Sequence, residues 1–511
     1  MIKEMDKIIV LDFGSQYSHL ICRRIRELSV YAELVDPNIS MDTIQKDNVK
    51  GIILSGGPNS VYDKGAPIPD DKIFDSKIPI LGICYGHQII VNKFHGEIKR
   101  ANKEYGSATL TIDDGSSLLE GIGGSTRAWM SHGDEASKIP ENFKIIGHTE
   151  SSKAAAIAST KEMIFGIQFH PEVIHTDKGM QILKNFVENI CHASRDWTMK
   201  KFVDVSVEEI KRIKGNVLCG VSGGIDSTVT ALLIHKAINK RLKCIFVDNG
   251  LLRHNEVEEI ENMFKDNFNM NFDTINAQEE FLGKLNRVED PEEKRKIVGS
   301  VFVDTFVDFA EKKGPFDYLA QGTLYPDVIE SGVSKGPADV IKTHHNVGGL
   351  TKKLNLKILE PLRDLYKDEV RDIAKILGVP EKLRTRHPFP GPGLAVRIIG
   401  EITSAKLEIC RQASNIVEEE LRKSNQYDNV WQAFAIVGND KAVGVVGDKR
   451  QYGHIVTIRV VNSLDAMTAD WTRLPNEVIE RISNRITNEI NGVTWVSYVV
   501  SSKPPATIEP Q

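Results

Sequence analysis

The sequence predicts an α/β protein: two consecutive open, mostly parallel α/β domains followed by a small α+β domain. Three observations carry this. Short β-branched runs alternate with helical patterns through the N-terminal part of the chain, the signature of a parallel sheet with crossover helices. The alternation restarts after the polar stretch His192–Lys201. It ends at the Pro/Gly-dense segment Arg386–Gly393, which suits neither a helix nor a central strand, and strands and helices then mix in an α+β pattern. The expected domains are 1–195, 196–386 and 387–511.

In chain order, Lys7–Leu11 (KIIVL) reads as a strand and Ser15–Leu28 as a helix. Gly51–Leu54 is a second strand, closed by the turn Ser55-Gly56-Gly57-Pro58, and Pro79–Ile83 is a third, followed by a helix from about Gly86. Gly179–Ile190 is an amphipathic helix, and His192–Lys201 reads as a linker. In the second domain, Asn216–Val221, Cys244–Val247 and Tyr318–Ala320 read as strands, with helices from Asp226 and over Tyr366–Leu377. The third has strands Ala433–Val437, Ala442–Val446 and His454–Val461, and helices Ser404–Lys423 and Glu477–Ile490. Ligands of open parallel sheets sit at the carboxyl ends of the strands, where the Gly-containing turns lie.

Composition narrows the class. At ~150 residues per domain, 511 residues suit about three domains. Lys+Arg is 65 against Asp+Glu 70, a net charge of −5, which argues against a nucleic-acid binder. The six cysteines are sparse and form no CxxC pair, as expected of a reducing cytoplasmic compartment. The apolar run Ile8–Leu11 is too short for a signal peptide or a membrane span, so no membrane association is expected.

Two segments carry chemistry. Gly82-Ile83-Cys84-Tyr85-Gly86 follows a strand and opens a helix, the cysteine form of a nucleophile elbow. There the helix N-terminus favours thiolate, and backbone N–H groups can bind an oxyanion. His170 is the candidate base; Glu172, two residues on, can project to the same side and orient the imidazole. Alone, Cys84 reads equally as a small buried apolar residue and His170 as a polar loop residue; with the elbow spacing they read as a catalytic pair. The second segment, Ser222-Gly223-Gly224-Ile225-Asp226-Ser227-Thr228, joins a strand to a helix and suits phosphate, although no Walker lysine follows the glycines. Its plain alternative is a Gly-Ser helix cap.

The first segment resembles the class I glutamine amidotransferase family. The resemblance implies that Cys84 attacks the glutamine side-chain amide, His170 protonates the leaving ammonia and Glu172 orients His170. It also implies an oxyanion hole from Gly56, Gly57 and the backbone at Tyr85, and glutamine contacts from Gln88, Ser131, His132 and Asp134. The second segment is similar to the SGG-x-DS loop of the ATP-pyrophosphatase (PP-loop) family, which transfers AMP from ATP to a substrate oxygen. Asp226 would there help hold Mg2+, and Asp248 would contact metal or ribose, or simply form the turn.

In family order and spacing, nearly the whole chain resembles the glutamine-hydrolysing GMP synthetase family. The resemblance implies the substrates glutamine, ATP and XMP, with Mg2+, no prosthetic group, and a homodimer formed through the C-terminal domain. It adds Gln321 and Gly322 to the ATP site, a lid with Lys342 facing phosphate, and Asp327, Glu330, His344 and His345 as lid residues. The adjacent histidines also admit a reading as metal ligands. XMP contacts are implied for Arg295, Gln432, Lys503 and Glu509, beside the bland readings of a charged helix face after an Asp290 N-cap and Pro291 at N1, and of surface polarity. The tail departs from the family, with Pro510-Gln511 in place of an aromatic-acid pair. Rival readings are a glutamine-dependent NAD synthetase, a tRNA-modifying thiolase and a catalytically silent binding protein. Ammonia is inactivated by protonation in water, so shielded transfer between domains is expected, with rotation about the linker gating glutamine hydrolysis.

Overall fold

The computed structural model describes residues 5–332, 354–446, 448–463 and 468–511. They form two compact units, Met1–Phe202 and Val203–Gln511.

The first unit is built on a nine-stranded sheet of β1 (Lys7–Leu11), β2 (Tyr31–Val35), β3 (Val49–Leu54), β4 (Ile80–Ile83), β5 (Glu97–Ile112), β6 (Ser125–Lys138), β7 (Phe143–His148), β8 (Ala156–Ser159) and β9 (Ile164–Ile167), in the order β2-β1-β3-β4-β9-β8-β7-β5-β6. The strands from β2 to β9 in that order pair in parallel, and β8, β7, β5 and β6 continue the sheet antiparallel. Strand periodicity explains why KIIVL is apolar throughout. Ile8 and Val10 enter the core on one face of the sheet and Ile9 and Leu11 that on the other, so the strand's one polar side chain is Lys7 at its start, buried and paired with Glu33 and Asp47.

The helix Tyr85–Lys93 rises from β4 and presses against the strands. A Cβ at Gly86 would sit 2.2 Å from the Leu54 carbonyl oxygen, and one at Gly82 would sit 2.4 Å from that of Gly86. The two glycines of the elbow are thus fixed by close backbone packing. The helix expected over Gly179–Ile190 is helical throughout, but Asn185–Ile190 widens into a π-turn, with Asn185 Nδ2 donating to the Leu118 and Glu120 carbonyls. The segment read as a linker is anchored on the first unit. Ser194 donates to Asp6, Trp197 is buried 4.7 Å from the Tyr31 ring, and a helix, Met199–Lys211, already begins inside it. Its polarity suggested a tether; Trp197 supplies the apolar surface that ties it down.

The second unit contains a wholly parallel five-stranded sheet, β12-β11-β10-β13-β14, from β10 (Val217–Gly220), β11 (Leu242–Asp248), β12 (Phe272–Asn276), β13 (Tyr318–Ala320) and β14 (Lys357–Leu359). The chain winds outward from β10 through β11 to β12, then returns to place β13 on the other side of β10. The β10–β13 boundary is therefore the topological switch point, where such sheets open a crevice at their carboxyl ends.

The segment Arg386–Gly393 is irregular, as its prolines require, and leads into a 3-10 turn over Gly393–Arg397. Beyond it lie β15 (Gln432–Val446), β16 (Lys449–Asn462), β17 (Asp470–Trp471) and β18 (Val493–Tyr498), with the helices Ser404–Lys423 and Asn476–Glu489. The two strands expected over Ala433–Val446 are one strand, interrupted by a bulge between Val437 and Lys441. The fold is thus two α/β sheets followed by an α+β region. Among the described residues, no helix is long and apolar enough to cross a membrane.

Candidate active sites

Cys84 sits between β4 and its helix with φ +54°, a left-handed conformation that side chains rarely adopt, and its N–H donates to the Ile167 carbonyl at 2.8 Å. The strained turn aims the thiol out of the sheet towards β6, where Sγ donates to the Ser131 carbonyl at 3.5 Å. His170 follows β9, the strand paired with β4, so strand order alone brings residues 84 and 170 together. Glu172 Oε1 lies 2.7 Å from His170 Nδ1, leaving Nε2 as the nitrogen available for proton transfer. Burial disfavours the His170 cation. The charge of Glu172 and the hydrogen bonds to Cys84 and Glu172 outweigh it and hold the pKa well above the ordinary histidine value. Three further contacts fix His170: its main-chain N–H donates to the Trp129 carbonyl, Thr176 Oγ1 donates to its carbonyl, and Tyr17 packs edge-on to its ring at 5.1 Å.

Gly56 and Gly57 follow β3 beside this pair. A Cβ at Gly56 would approach His170 Cε1 to 3.2 Å, and one at Gly57 would meet the Phe13 carbonyl at 2.7 Å. Tyr85 opens the helix, so its N–H belongs to the first turn, which lacks intrahelical acceptors, while its hydroxyl donates to the Pro67 carbonyl. Gln88, one turn on, donates to the Asp134 carbonyl at 2.9 Å and pins β6 over the cysteine. His132, buried on β6, is 3.1 Å from Glu104.

Behind the elbow lies His87, fully buried with neither ring nitrogen partnered. Burial, and secondarily His132, drops its pKa to about 3. In the unfolded chain it titrates near ~6.5, so the unfolded state gains the proton first. This residue's contribution to stability is complete above pH ~6.5 and drains away as pH falls towards the folded value, by on the order of 5 kcal/mol in total. His87→Met, similar in volume, should therefore raise the urea midpoint at pH 5 more than at pH 8. Equal gains at both pH values would show that His87 does not titrate on unfolding.

The loop Ser222–Thr228 follows β10, and Gln321 and Gly322 follow β13, so both lie at the switch point of the second sheet. Gly223 has φ +73°. Ser227 Oγ accepts from the Ser222 N–H and donates to the Gly224 carbonyl, and Thr228 Oγ1 also donates to that carbonyl. The loop is thus laced by its own hydroxyls and leads into the helix Ile225–Ile238. A Cβ at Gly322 would come within 3.1 Å of Asp226, so glycine lets the β13 turn approach the loop. Asp226 pairs through Oδ2 with Lys367 at 2.5 Å, while its Oδ1 is buried without a partner. Asp248 is committed to its turn: Oδ1 accepts from the Gly250 N–H and Oδ2 from Gln278. Asp327 accepts the Leu324 N–H at the start of the helix Tyr325–Gly332, which contains Glu330 in its backbone. Lys342, His344 and His345 lie outside the described residues.

The C-terminal candidates gather in part. Glu509 is held by Arg397 through two hydrogen bonds of 3.1 and 2.8 Å, and Gln432 Nε2 donates to it at 2.7 Å. Arg295 donates to the main-chain oxygen of Gln511 at 2.7 Å. Lys503 forms an isolated antiparallel bridge with Ala469. The helix carrying Arg295 begins as its sequence suggests, with Asp290 accepting the Glu293 N–H and Pro291 in the first turn. Beside the cluster, a cavity lined by Arg253, Lys382, Arg386, Arg397 and Arg411, with Glu259 and Glu418 also in its wall, carries an excess of basic side chains. Sequence reasoning missed Lys367 and Arg397. Lys367 stands at an ordinary helix start and Arg397 within an apolar run, and no local pattern marks partners 141 and 112 residues away.

Comparison with known proteins agrees with this layout. Residues 9–190 match the family Glutamine amidotransferase class-I, residues 196–298 match NAD synthase, and residues 419–510 match the GMP synthase C terminal domain. The chain is 49% identical to a protein named GMP synthase [glutamine-hydrolyzing] from Clostridium kluyveri over 99% of each chain. It is 50% identical to one of that name from Nitratidesulfovibrio vulgaris, and 51% identical to one from Aquifex aeolicus, each over 98% of this chain and 99% of the other. Elbow, phosphate loop and C-terminal region thus occur in one order along matched full lengths, and the chain belongs to the glutamine-hydrolysing GMP synthase family.

Proposed function

We propose that this chain hydrolyses glutamine at Cys84 and uses the ammonia to convert ATP-activated XMP into GMP, with functional domains at 1–195, 196–386 and 387–511. The observation that carries the reading is the Cys84–His170–Glu172 array on one sheet together with a phosphate loop at the switch point of another. Cys84 Sγ attacks the amide carbon of glutamine, and the N–H groups of Gly57 and Tyr85 receive the oxyanion. His170 takes the thiol proton and gives it to the amide nitrogen as the C–N bond breaks, so that neutral ammonia leaves, and water then cleaves the thioester to glutamate. At the second site the 2-oxygen of XMP attacks the α-phosphorus of ATP and pyrophosphate leaves. Ammonia displaces AMP from C2, giving GMP. Ser222–Thr228 holds the leaving pyrophosphate; Gln432 and Glu509 face the purine edge, and Arg295 and Lys503 supply positive charge for the phosphate.

Mg2+ fits the free Asp226 oxygen, since this ion takes one or two carboxylates and draws its other ligands from phosphate and water. It would neutralise charge on the leaving pyrophosphate; the protein's part is to aim Asp226 and Lys367 at that place. We assign a homodimer through the C-terminal region. Its support is an exposed apolar patch of Val443, Val445, Tyr452 and Trp495 on the last sheet, and a monomer mass on sedimentation would refute it. The cytoplasm suits the six unpaired cysteines. The test is acceptor specificity with Mg2+, ATP and ammonium: XMP should support AMP, pyrophosphate and GMP formation, and deamido-NAD none. AMP formation with deamido-NAD alone would move the chain's chemistry to the NAD synthase that residues 196–298 also match.

A further inference from the structure

The helix Pro291–Lys313 carries a lysine, Lys294, with no exposed surface. Its ammonium donates to the Ile398 carbonyl at 2.7 Å and to Gln511 Oε1 at 2.8 Å. Both acceptors flank one ion pair: Ile398 follows Arg397, and Gln511 lies two residues beyond Glu509, the carboxylate that Arg397 holds. Arg295 adds a bond to the main-chain oxygen of Gln511. A buried lysine is costly, because desolvation penalises its charge. Here burial and the nearby Lys406 pull the pKa down to about 8. An apolar side chain would fill the space at lower cost, so stability alone does not account for the charge. What the ammonium does account for is the position of two chain segments that also meet through Arg397 and Glu509.

We propose that Lys294 is a positioning residue for XMP, clamping the 509–511 segment to the Ile398 backbone so that Glu509 and Gln432 are held ready for the purine. This rests on the reading of Glu509 as a purine contact. The clamp acts on the acceptor nucleotide alone, since none of its groups belongs to the phosphate loop or the cysteine elbow.

The test uses the full chain with ammonium as nitrogen donor. Gln511→Ala removes one end of the clamp while Lys294 keeps its bond to the Ile398 carbonyl, and should raise the KM for XMP about tenfold, the worth of one hydrogen bond to a charged donor. The kcat and the KM for ATP should stay within about twofold. Gln511→Glu, which offers Lys294 a charged acceptor, should keep or lower the KM for XMP; a merely structural tail would not distinguish the two variants in this way. Lys294→Met should reproduce the Gln511→Ala effect wherever it folds. Glu509→Gln separates the two ideas. A higher KM for XMP in Glu509→Gln with none in Gln511→Ala overturns the clamp alone. An unchanged KM in Glu509→Gln overturns the purine-contact reading and the clamp with it.

Discussion

Cys84→Ala should abolish GMP formation from glutamine while ammonium-driven GMP formation persists at near its original rate. The loss follows from the geometry. The thiol stands on a φ +54° turn between β4 and its helix, with His170 drawn close by the β4–β9 pairing. No other described cysteine can replace it. Cys22 and Cys410 are buried, and burial first of all pushes their thiols up, to about 12 and about 11; burial also raises Cys191, and Cys219 and Cys244 are buried within β10 and β11 of the other sheet. Removing an activated nucleophile of this kind costs roughly 10^4- to 10^6-fold. Glutamate release and GMP formation, each measured with glutamine and with ammonium, give the answer. Residual glutamine-dependent GMP synthesis above ~1% would place the nucleophile elsewhere. Equal loss with both donors would mean that the substitution damages the amination site too, and the two-site reading would fall.

The parts of the molecule that sequence revealed are those whose causes are local. KIIVL is a strand because both faces of its sheet are cores, and the elbow is recognisable because Gly82 and Gly86 are dictated by contacts under 2.5 Å with backbone. The antiparallel half of the first sheet went unread for a related reason. In β6 the inward positions include Thr126, Ala128, Met130 and His132, so polar residues interrupt the alternation that would betray a strand. Cys84, His170 and Glu172 could be singled out because the elbow spacing marks the first and the two-residue spacing links the other two, while the β4–β9 pairing that joins the motifs is supplied by the fold. Gln88 could be suspected from its place one turn after Cys84, but its partner, the Asp134 carbonyl, is a backbone atom that no residue pattern announces. Lys367, Arg397 and Lys294 belong to a different class. Each is an ordinary basic residue made significant by a partner more than a hundred positions away, and only the strand order and the path of the tail supply that.

Asp226→Asn should lower AMP formation by roughly 10^2- to 10^4-fold with either nitrogen donor, and raise the Mg2+ concentration needed for half-maximal rate. Asparagine keeps the size of the side chain and can still accept from Lys367, so the loop and its helix should persist. What disappears is the anionic oxygen, Oδ1, buried at the mouth of the phosphate loop and left without a protein partner. An uncompensated buried carboxylate oxygen is expensive unless something cationic completes it. Lys367 offers the contrast. If Asp226 serves only to hold that lysine, Lys367→Met and Asp226→Asn should be equally impaired, with the Mg2+ dependence unmoved in both. If the carboxylate meets the metal, only Asp226→Asn should shift the Mg2+ curve, while Lys367→Met slows the reaction at every Mg2+ concentration. Full adenylation by Asp226→Asn at low Mg2+ would remove this residue from the reaction and leave the loop hydroxyls and backbone to carry the phosphate by themselves.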